Sequence, residues 1–151
     1  MIPVIMLVED NDDHAELITE ALKNTVIAIR VVRFADAESA LEYFEATGGS
    51  TDDVDNPLPE VVLLDLKLPG MNGLDMLKRL RTNPKTKKIP VVILTTSKRD
   101  EEIARGYEYG ANSYIVKPVK YEEFRAKIID LKMYWILTSE LPRNNRETAR
   151  N

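Results

Sequence analysis

The sequence predicts an α/β fold in which helices cover both faces of a parallel β-sheet. Three observations lead to this fold class: five short apolar segments, five segments of helical periodicity, and their regular alternation along the chain. Alternation favours a parallel sheet, because each helix returns the chain across a sheet face before the next strand begins. A chain of 151 residues is long enough for one domain with its own hydrophobic core.

The predicted strands are short, rich in β-branched residues and bounded by polar residues, proline or glycine. Continuous apolar runs of this length are typical of strands that are buried on both faces. In chain order, the five predicted strands cover residues 4–8, 28–32, 61–64, 91–94 and 114–116.

The predicted helices carry apolar residues at helical spacing, and several have residues that suit helix ends. The first helix has its apolar stripe at Leu17, Ile18, Ala21 and Leu22. Asp36 is a suitable N-cap for the second helix, and the third follows Asn72. Ser97 with Asp100 three residues later predicts the start of the fourth helix, and Gly110 predicts its end. One face of the fifth helix carries Phe124, Ile128, Leu131 and Trp135.

The composition excludes several kinds of site and partner. The chain has no cysteine, which excludes disulfide bonds and thiolate metal sites. Its formal net charge of −4 argues against a general nucleic-acid binder, so we expect no nucleic-acid partner. The first residues lack a basic segment, and their apolar run is too short for a signal peptide or a membrane span. We therefore expect a cytoplasmic protein that does not bind membranes.

The chain divides into a predicted domain and a short polar tail. We expect residues 1–137 to form the domain and residues 138–151 to form the tail. Residues 47–56 are rich in glycine, serine, threonine and aspartate, which predicts a flexible loop inside the domain.

Polar side chains stand at the carboxyl ends of four predicted strands. Glu9 and Asp10 follow the first strand, Asp65 the third, Thr95 the fourth, and Lys117 the fifth. The carboxyl ends of parallel strands meet at one sheet edge, where sites form in α/β proteins. Three close carboxylates repel one another, and a hard cation with oxygen ligands such as Mg²⁺ relieves the conflict. The sequence thus predicts a Mg²⁺ site at this edge.

Each acidic residue taken alone has a simpler interpretation, as a solvated loop residue or a helix cap. That interpretation suits Asp12 and Asp13, which fall in the first turn of the first helix and complement its dipole. It accounts poorly for three carboxylates, a hydroxyl and an ammonium that all follow strands.

Four segments at these strand ends resemble the signature segments of response-regulator receiver domains. They are VEDN at 8–11, LLDLKLPGMNG at 63–73, ILTTS at 93–97 and YIVKP at 114–118. All four occur in the order of that family, and the resemblance extends from about residue 4 to residue 137. It implies a flavodoxin-like (βα)5 doubly wound sheet with the strand order 2-1-3-4-5.

The resemblance implies a phosphoacceptor and a set of metal ligands. Asp65 would accept a phosphoryl group from a phosphohistidine of a sensor histidine kinase. Asp10, Asp65 and the main-chain carbonyl of Lys67 would bind Mg²⁺, and Glu9 would reach the ion through water. Beyond catalysing its own phosphorylation and dephosphorylation, the protein would have no enzymatic activity.

The resemblance also implies residues that stabilise the transferred group and respond to it. Lys117 and Thr95 would contact phosphoryl oxygens, since phosphoryl transfer depends mainly on charge neutralisation and positioning. Thr95 and Tyr114 would then move and change the face formed by helix four, strand five and helix five. For Tyr114, ordinary half-buried strand packing is an equally good interpretation. The Lys117–Pro118 peptide bond would be cis, as in the family.

The function that follows is a single-domain response regulator of a two-component phosphorelay. A relay intermediate or phosphate sink would use the same residues, and a pseudo-receiver scaffold would work without phosphorylation. A hydrolase of small phosphoesters is a further class, but it would need a general acid and a capping segment, and the sequence offers neither.

The fifth helix carries a second set of apolar residues that predicts a homodimer. At 100° per residue, Ala126, Ile129, Met133, Ile136 and Leu137 fall opposite the core face, and a helix that is apolar on both sides is buried on both. A folded-back tail is the alternative cover. The ending KMYWILTSELPR also resembles regulators that partner phytochrome-type kinases. The lone His14 is expected to be a surface residue, and no role is assigned to it.

Overall fold

The computed structural model describes residues 2–51 and 53–138, except for the side chains of residues 137 and 138. A single parallel sheet of five strands has the order 2-1-3-4-5. The strands are β1 (Val4–Val8), β2 (Arg30–Phe34), β3 (Val61–Leu64), β4 (Val91–Thr95) and β5 (Ser113–Val116). The helices are α1 (Asp12–Lys23), α2 (Ala37–Ala46), α3 (Gly73–Thr82), α4 (Asp100–Glu108) and α5 (Tyr121–Lys132). The predicted fold class and strand order are confirmed.

The core lies in two layers, one on each face of the sheet. Every residue of β1, β3 and β4 is buried, as the continuous apolar runs predict. Successive side chains point to opposite faces, so Ile5 and Leu7 pack toward α1 and α5, whereas Met6 and Val8 pack toward α2 and α3. This packing fixes the three central strands, whose carboxyl ends hold the site.

The edge strand β2 lies two residues later than predicted, at 30–34 instead of 28–32. Its pairing with β1 sets its bounds, because the Arg30 N–H donates to the Pro3 carbonyl and the Glu9 N–H donates to the Phe34 carbonyl, each at 2.9 Å. All but the first residue of β2 are only half-buried, so its apolar residues do not mark where the strand begins and ends.

The start of α4 also differs from its prediction. The helix begins at Asp100 with Arg99 at the N-cap position, and no side chain caps it. Ser97 does not cap the helix, because it lies two residues before the N-cap position; its hydroxyl accepts from the Arg99 N–H at 3.4 Å and donates to the Glu102 carboxylate. The predicted end is confirmed, since Gly110 has φ of 105° and donates its N–H to the Tyr107 carbonyl.

The second apolar face predicted for α5 is only partly free, since Ala126 is exposed but the two isoleucines of the face are not. Ile129 and Ile136 are half-buried and pack against the chain's own core, whereas Met133 is 40% exposed. One reason for the difference is a π-helical turn over Met133–Thr138. This turn has more residues per turn than the α-helical spacing of 100° per residue that the prediction assumes. The Leu137 side chain and the tail from residue 139 lie outside the described residues.

The end of α5 is tied to the end of α1 by a buried lysine. The Lys132 ammonium donates to the carbonyls of Leu22 at 2.5 Å and Ile27 at 2.6 Å, and also to the Thr25 hydroxyl. Burial lowers the pKa of Lys132. A cation at this position complements the C-terminal dipole of α1. Within residues 2–51 and 53–138, no helix has the length and hydropathy that a membrane crossing requires.

Candidate functional site

The carboxyl ends of β1, β3 and β5 bring three charged side chains together. The Lys117 Nζ lies 2.5 Å from Glu9 Oε1 and 3.1 Å from Asp65 Oδ2. Both ion pairs are buried, since these side chains are only 2%, 1% and 8% exposed for Lys117, Glu9 and Asp65. Glu9 and Asp65 directly follow the buried strands β1 and β3, and Lys117 directly follows the half-buried strand β5, so the sheet places the three charges at this edge.

Asp10 completes a group of three carboxylates with Glu9 and Asp65, here called the carboxylate triad. Each residue offers an oxygen within 4.8 Å of the others, and Asp10 is exposed while its two neighbours are buried. Close oxygen ligands with negative charge are what hard divalent cations prefer. The triad therefore fits a divalent cation that is reached from the solvent side through Asp10.

The electrostatics of the triad also favour a cation. Burial raises the pKa of Glu9 to about 7, although the nearby Lys117 ammonium lowers it, and the Asp65 charge raises it further. The Asn11 N–H donates to Glu9 Oε2 at 3.2 Å and offsets part of this cost. One ammonium serves two buried carboxylates, so added positive charge would stabilise the ionised triad.

The loop after β3 holds the Asp65 side chain through backbone contacts. The Lys67 N–H donates to Asp65 Oδ1 at 3.2 Å, and the Asp65 N–H continues the β1–β3 pairing by donating to the Val8 carbonyl at 3.0 Å. Gly73, the first residue of α3, lies against this loop, and a Cβ there would be 2.3 Å from the Asp65 carbonyl oxygen. Only glycine fits, so the backbone of α3 lies directly against the loop that follows β3.

Thr95 and Tyr114 lie on neighbouring strands β4 and β5, and the loop after β4 connects them. Thr95 is fully buried, and its hydroxyl accepts a long hydrogen bond of 3.5 Å from the Ser97 N–H. The half-buried Tyr114 donates its hydroxyl to the Ser97 carbonyl at 3.1 Å, and its ring packs on Gly106 of α4. The side chain of Tyr114 thus links β5 both to the loop after Thr95 and to α4.

The Lys117–Pro118 peptide bond is trans, so the expectation of a cis bond is wrong for this structure. A tertiary amide prefers trans by only about 0.5–1 kcal/mol, and a Lys-Pro sequence alone does not determine the isomer. The Lys117 ammonium reaches both carboxylates with the trans bond.

His14 is the site residue that the sequence interpretation missed. Its Nδ1 lies 3.0 Å from the Lys117 Nζ, and its ring meets the Phe124 ring edge-on with 6.0 Å between centroids. The sequence correctly places His14 in the first turn of α1. It does not show that this turn faces the end of β5, because that depends on how α1 and α5 pack together.

Comparison with known proteins gives the family. The family model of the response regulator receiver domain matches residues 5–129. The chain belongs to the response regulator receiver family. A curated relative is the probable methanogenesis regulatory protein FilR2 of Methanothrix harundinacea, 36% identical over 88% of this chain and 83% of its own.

Two solved receiver structures are similar to this receiver along nearly their whole length. The phosphorylated cyanobacterial phytochrome response regulator RcpA superposes with a TM-score of 0.86 at 32% identity, over 94% of this chain and 99% of its own. The Mn²⁺-bound response regulator Rcp1, a Synechocystis protein, gives a TM-score of 0.83 at 31% identity, over 93% and 99% of the two chains. The fold predicted from the sequence is thus the fold of this family.

Proposed function

We propose that this receiver accepts a phosphoryl group on Asp65, with Mg²⁺, from a phosphohistidine of a sensor histidine kinase. The observation that carries the proposal is the position of Asp65, which belongs to the carboxylate triad and lies 3.1 Å from the Lys117 ammonium. A nucleophilic oxygen, oxygen ligands for a cation and a fixed positive charge are the groups that phosphoryl transfer requires. The phosphorylated form of RcpA and the Mn²⁺-bound form of Rcp1 support the proposal.

In the proposed reaction, an Asp65 carboxylate oxygen attacks phosphorus while the bond from phosphorus to the donor imidazole nitrogen breaks. The products are an acyl phosphate on Asp65 and a histidine side chain that takes up a proton. Asp10, Asp65 and the Lys67 carbonyl would hold Mg²⁺, with Glu9 acting through water, and the ion would neutralise phosphoryl charge. Lys117 contributes a charge that is already fixed beside Asp65, which lowers the cost of reorganisation during transfer.

The proposed output is a change on the face formed by α4, β5 and α5. Thr95 would contact the phosphoryl group, and Tyr114 would leave its hydrogen bond to Ser97 and move toward the space beside Thr95. Within α4, all of whose residues are described, Gly106 alone is buried. An element with so few buried contacts moves at low energetic cost, so this face suits a switch.

The family and the two phytochrome regulators support a proposal for the kind of protein and the kind of kinase involved. We assign the protein as a cytoplasmic, single-domain response regulator whose kinase is of the phytochrome type. Its catalysis is confined to its own phosphorylation and dephosphorylation. The complete set of Asp65, Lys117 and Thr95 supports a protein that is phosphorylated over a phosphorylation-independent scaffold. A relay intermediate would use the same residues, and the proposed change on the face of α4, β5 and α5 is what favours a switch.

The cation requirement gives the first test of the proposal. Incubation with acetyl phosphate and Mg²⁺ is expected to add one phosphoryl group, measured by intact-protein mass spectrometry, and chelation of the metal is expected to prevent the addition. The triad and the incoming phosphate are both negative and repel each other. Among the described residues, Lys117 is the single ammonium bonded to the triad, so a cation is needed to offset this repulsion. Equal uptake with and without Mg²⁺ would contradict the metal assignment.

The homodimer is proposed through the end of α5, around Met133, Ile129, Ile136 and Leu137. The apolar surface available for a dimer is smaller than the sequence predicts. Among the described side chains of these four residues, Met133 alone is strongly exposed.

Sedimentation equilibrium of Met133→Glu tests the dimer. We expect at least a tenfold weaker dimer, since a charge at a small apolar contact is costly. Tyr121→Glu, at the other end of α5 and 56% exposed, is the matched control and should dimerise normally. A monomeric wild type, with or without phosphorylation, would refute the dimer.

A further inference from the structure

The contact between His14 and Lys117 has only one hydrogen-bonding interpretation. A lysine ammonium carries three donors and no acceptor, so the His14 Nδ1 at 3.0 Å from Nζ must be the acceptor. The imidazole is therefore neutral, with its proton on Nε2. The ammonium thus has three acceptors for its three hydrogens: Glu9 Oε1, Asp65 Oδ2 and His14 Nδ1.

These three acceptors differ in chemistry. Glu9 and Asp65 are carboxyl groups of the triad that fits a cation, so cation binding competes with Lys117 for their oxygens. His14 is outside the triad, so a cation bound by the triad does not compete with Lys117 for the His14 Nδ1. The Phe124 ring from α5 supports the imidazole edge-on, which fixes its orientation.

We propose that His14 is a positioning residue for phosphoryl transfer, whose neutral Nδ1 accepts a hydrogen bond from Lys117 and keeps the ammonium beside Asp65. This inference rests on the proposed function. It assigns His14 no contact with the phosphoryl group, since His14 acts through Lys117. Its consequence is a pH limit, because a protonated His14 loses the acceptor and places a second positive charge beside the ammonium.

The surroundings of His14 keep it neutral near pH 7. Burial and the Lys117 charge lower the pKa of His14, whereas the charges of Asp65, Asp13 and Asp10 raise it by less. From α5 the neighbour is the uncharged Phe124 ring. Protonation of His14 therefore requires a lower pH than that of an unperturbed histidine.

A direct test uses the fact that His14 is the chain's one histidine, so its imidazole NMR signals are unambiguous. In the metal-free wild type we expect the Nε2–H tautomer and a pKa below the ordinary value. In Lys117→Met the pKa of His14 should rise, because the neighbouring positive charge is gone. The Nδ1–H tautomer, or an unchanged pKa in a folded Lys117→Met, would overturn the inference. This measurement needs no phosphorylation, so it stands even if the proposed function fails.

A kinetic test separates positioning from packing. His14→Phe keeps a ring against Phe124 but has no acceptor, whereas His14→Asn places an amide oxygen near the position of Nδ1 and does not titrate. With acetyl phosphate near pH 7, His14→Phe should be phosphorylated roughly tenfold more slowly, the loss expected for one hydrogen bond to a charged group. His14→Asn should react within about twofold of the wild type at the same pH, since its oxygen replaces the acceptor.

The pH dependence of the phosphorylation rate distinguishes a hydrogen-bonding role of His14 from a purely packing role, because packing alone would not change it. Glu9 titrates in all three proteins, so only differences between the profiles count. On acidification, the wild-type rate should fall at a higher pH than the His14→Asn rate. A His14→Phe rate equal to that of the wild type, or identical wild-type and His14→Asn profiles, would overturn the inference. If the wild type takes up no phosphoryl group from any donor, the proposed function fails instead, and the NMR result still decides the contact.

Discussion

Asp65→Asn is expected to abolish phosphoryl uptake while leaving the protein folded. The substitution preserves the shape of the side chain but replaces the nucleophilic carboxylate with an amide, which does not attack phosphorus at a useful rate. Lys117 keeps its 2.5 Å contact with Glu9, so no charge is left buried without a partner. Removal of one negative charge also reduces repulsion in the triad, and metal-free Asp65→Asn should be at least as stable as the wild type.

Thermal unfolding and phosphorylation by acetyl phosphate check the two parts of this prediction separately. Asp75→Asn is the matched control, because Asp75 is an exposed carboxylate in the first turn of α3. It should be phosphorylated as the wild type is. Phosphorylation of a folded Asp65→Asn to the wild-type extent would show that the acceptor lies elsewhere.

Lys117→Met is expected to destabilise the metal-free protein by about 3–5 kcal/mol, the usual cost of removing one partner of a buried ion pair. Glu9 and Asp65 would remain buried with no counter-charge, and the pKa of Glu9, already raised by burial, would rise further. Phosphorylation should also slow strongly, because no ammonium would remain to neutralise the phosphoryl oxygens.

Urea unfolding measures the effect of Lys117→Met on stability. Lys120→Met is the matched control, since Lys120 is an exposed lysine of the same loop, and its change should be within about 0.5 kcal/mol. Adding Glu9→Gln to Lys117→Met should restore part of the loss, because one unpaired charge is removed. Equal stabilities of Lys117→Met and the wild type would show that the buried ion pairs contribute nothing.

The sequence predicts which charged side chains lie together because their positions follow from the strand pattern. Each of Asp65, Thr95 and Lys117 ends or directly follows an apolar strand, and the order of such strands in a parallel sheet determines which ends meet. The grouping of the charges at one sheet edge can therefore be predicted from the strand pattern, whereas the strand order 2-1-3-4-5 is predicted by the resemblance to receiver domains. The exact bounds of β2 are not, because an edge strand is defined by backbone pairing more than by burial.

The residues that sequence reasoning missed depend on contacts between elements distant along the chain. His14 belongs to the site only because the first turn of α1 faces the end of β5, 103 residues away. Ser97 fails as a cap because the helix begins two residues later than a cap at Ser97 requires, while the Ser97 hydroxyl contacts the Glu102 side chain. The π-helical turn after α5 changes which side chains face the core, and no local pattern marks it. In all three places, contacts that the local sequence pattern does not show determine the local structure.

The central claim is that Asp65 is the phosphoacceptor, and chemical trapping tests it most directly. Borohydride reduces an aspartyl phosphate to homoserine, so peptide mass mapping of the phosphorylated, reduced protein identifies the residue that carried the group. We expect homoserine at position 65 and unchanged side chains at Glu9, Asp10 and Asp75. A modification at any other residue, or no phosphoryl uptake from acetyl phosphate or a histidine kinase, would contradict it.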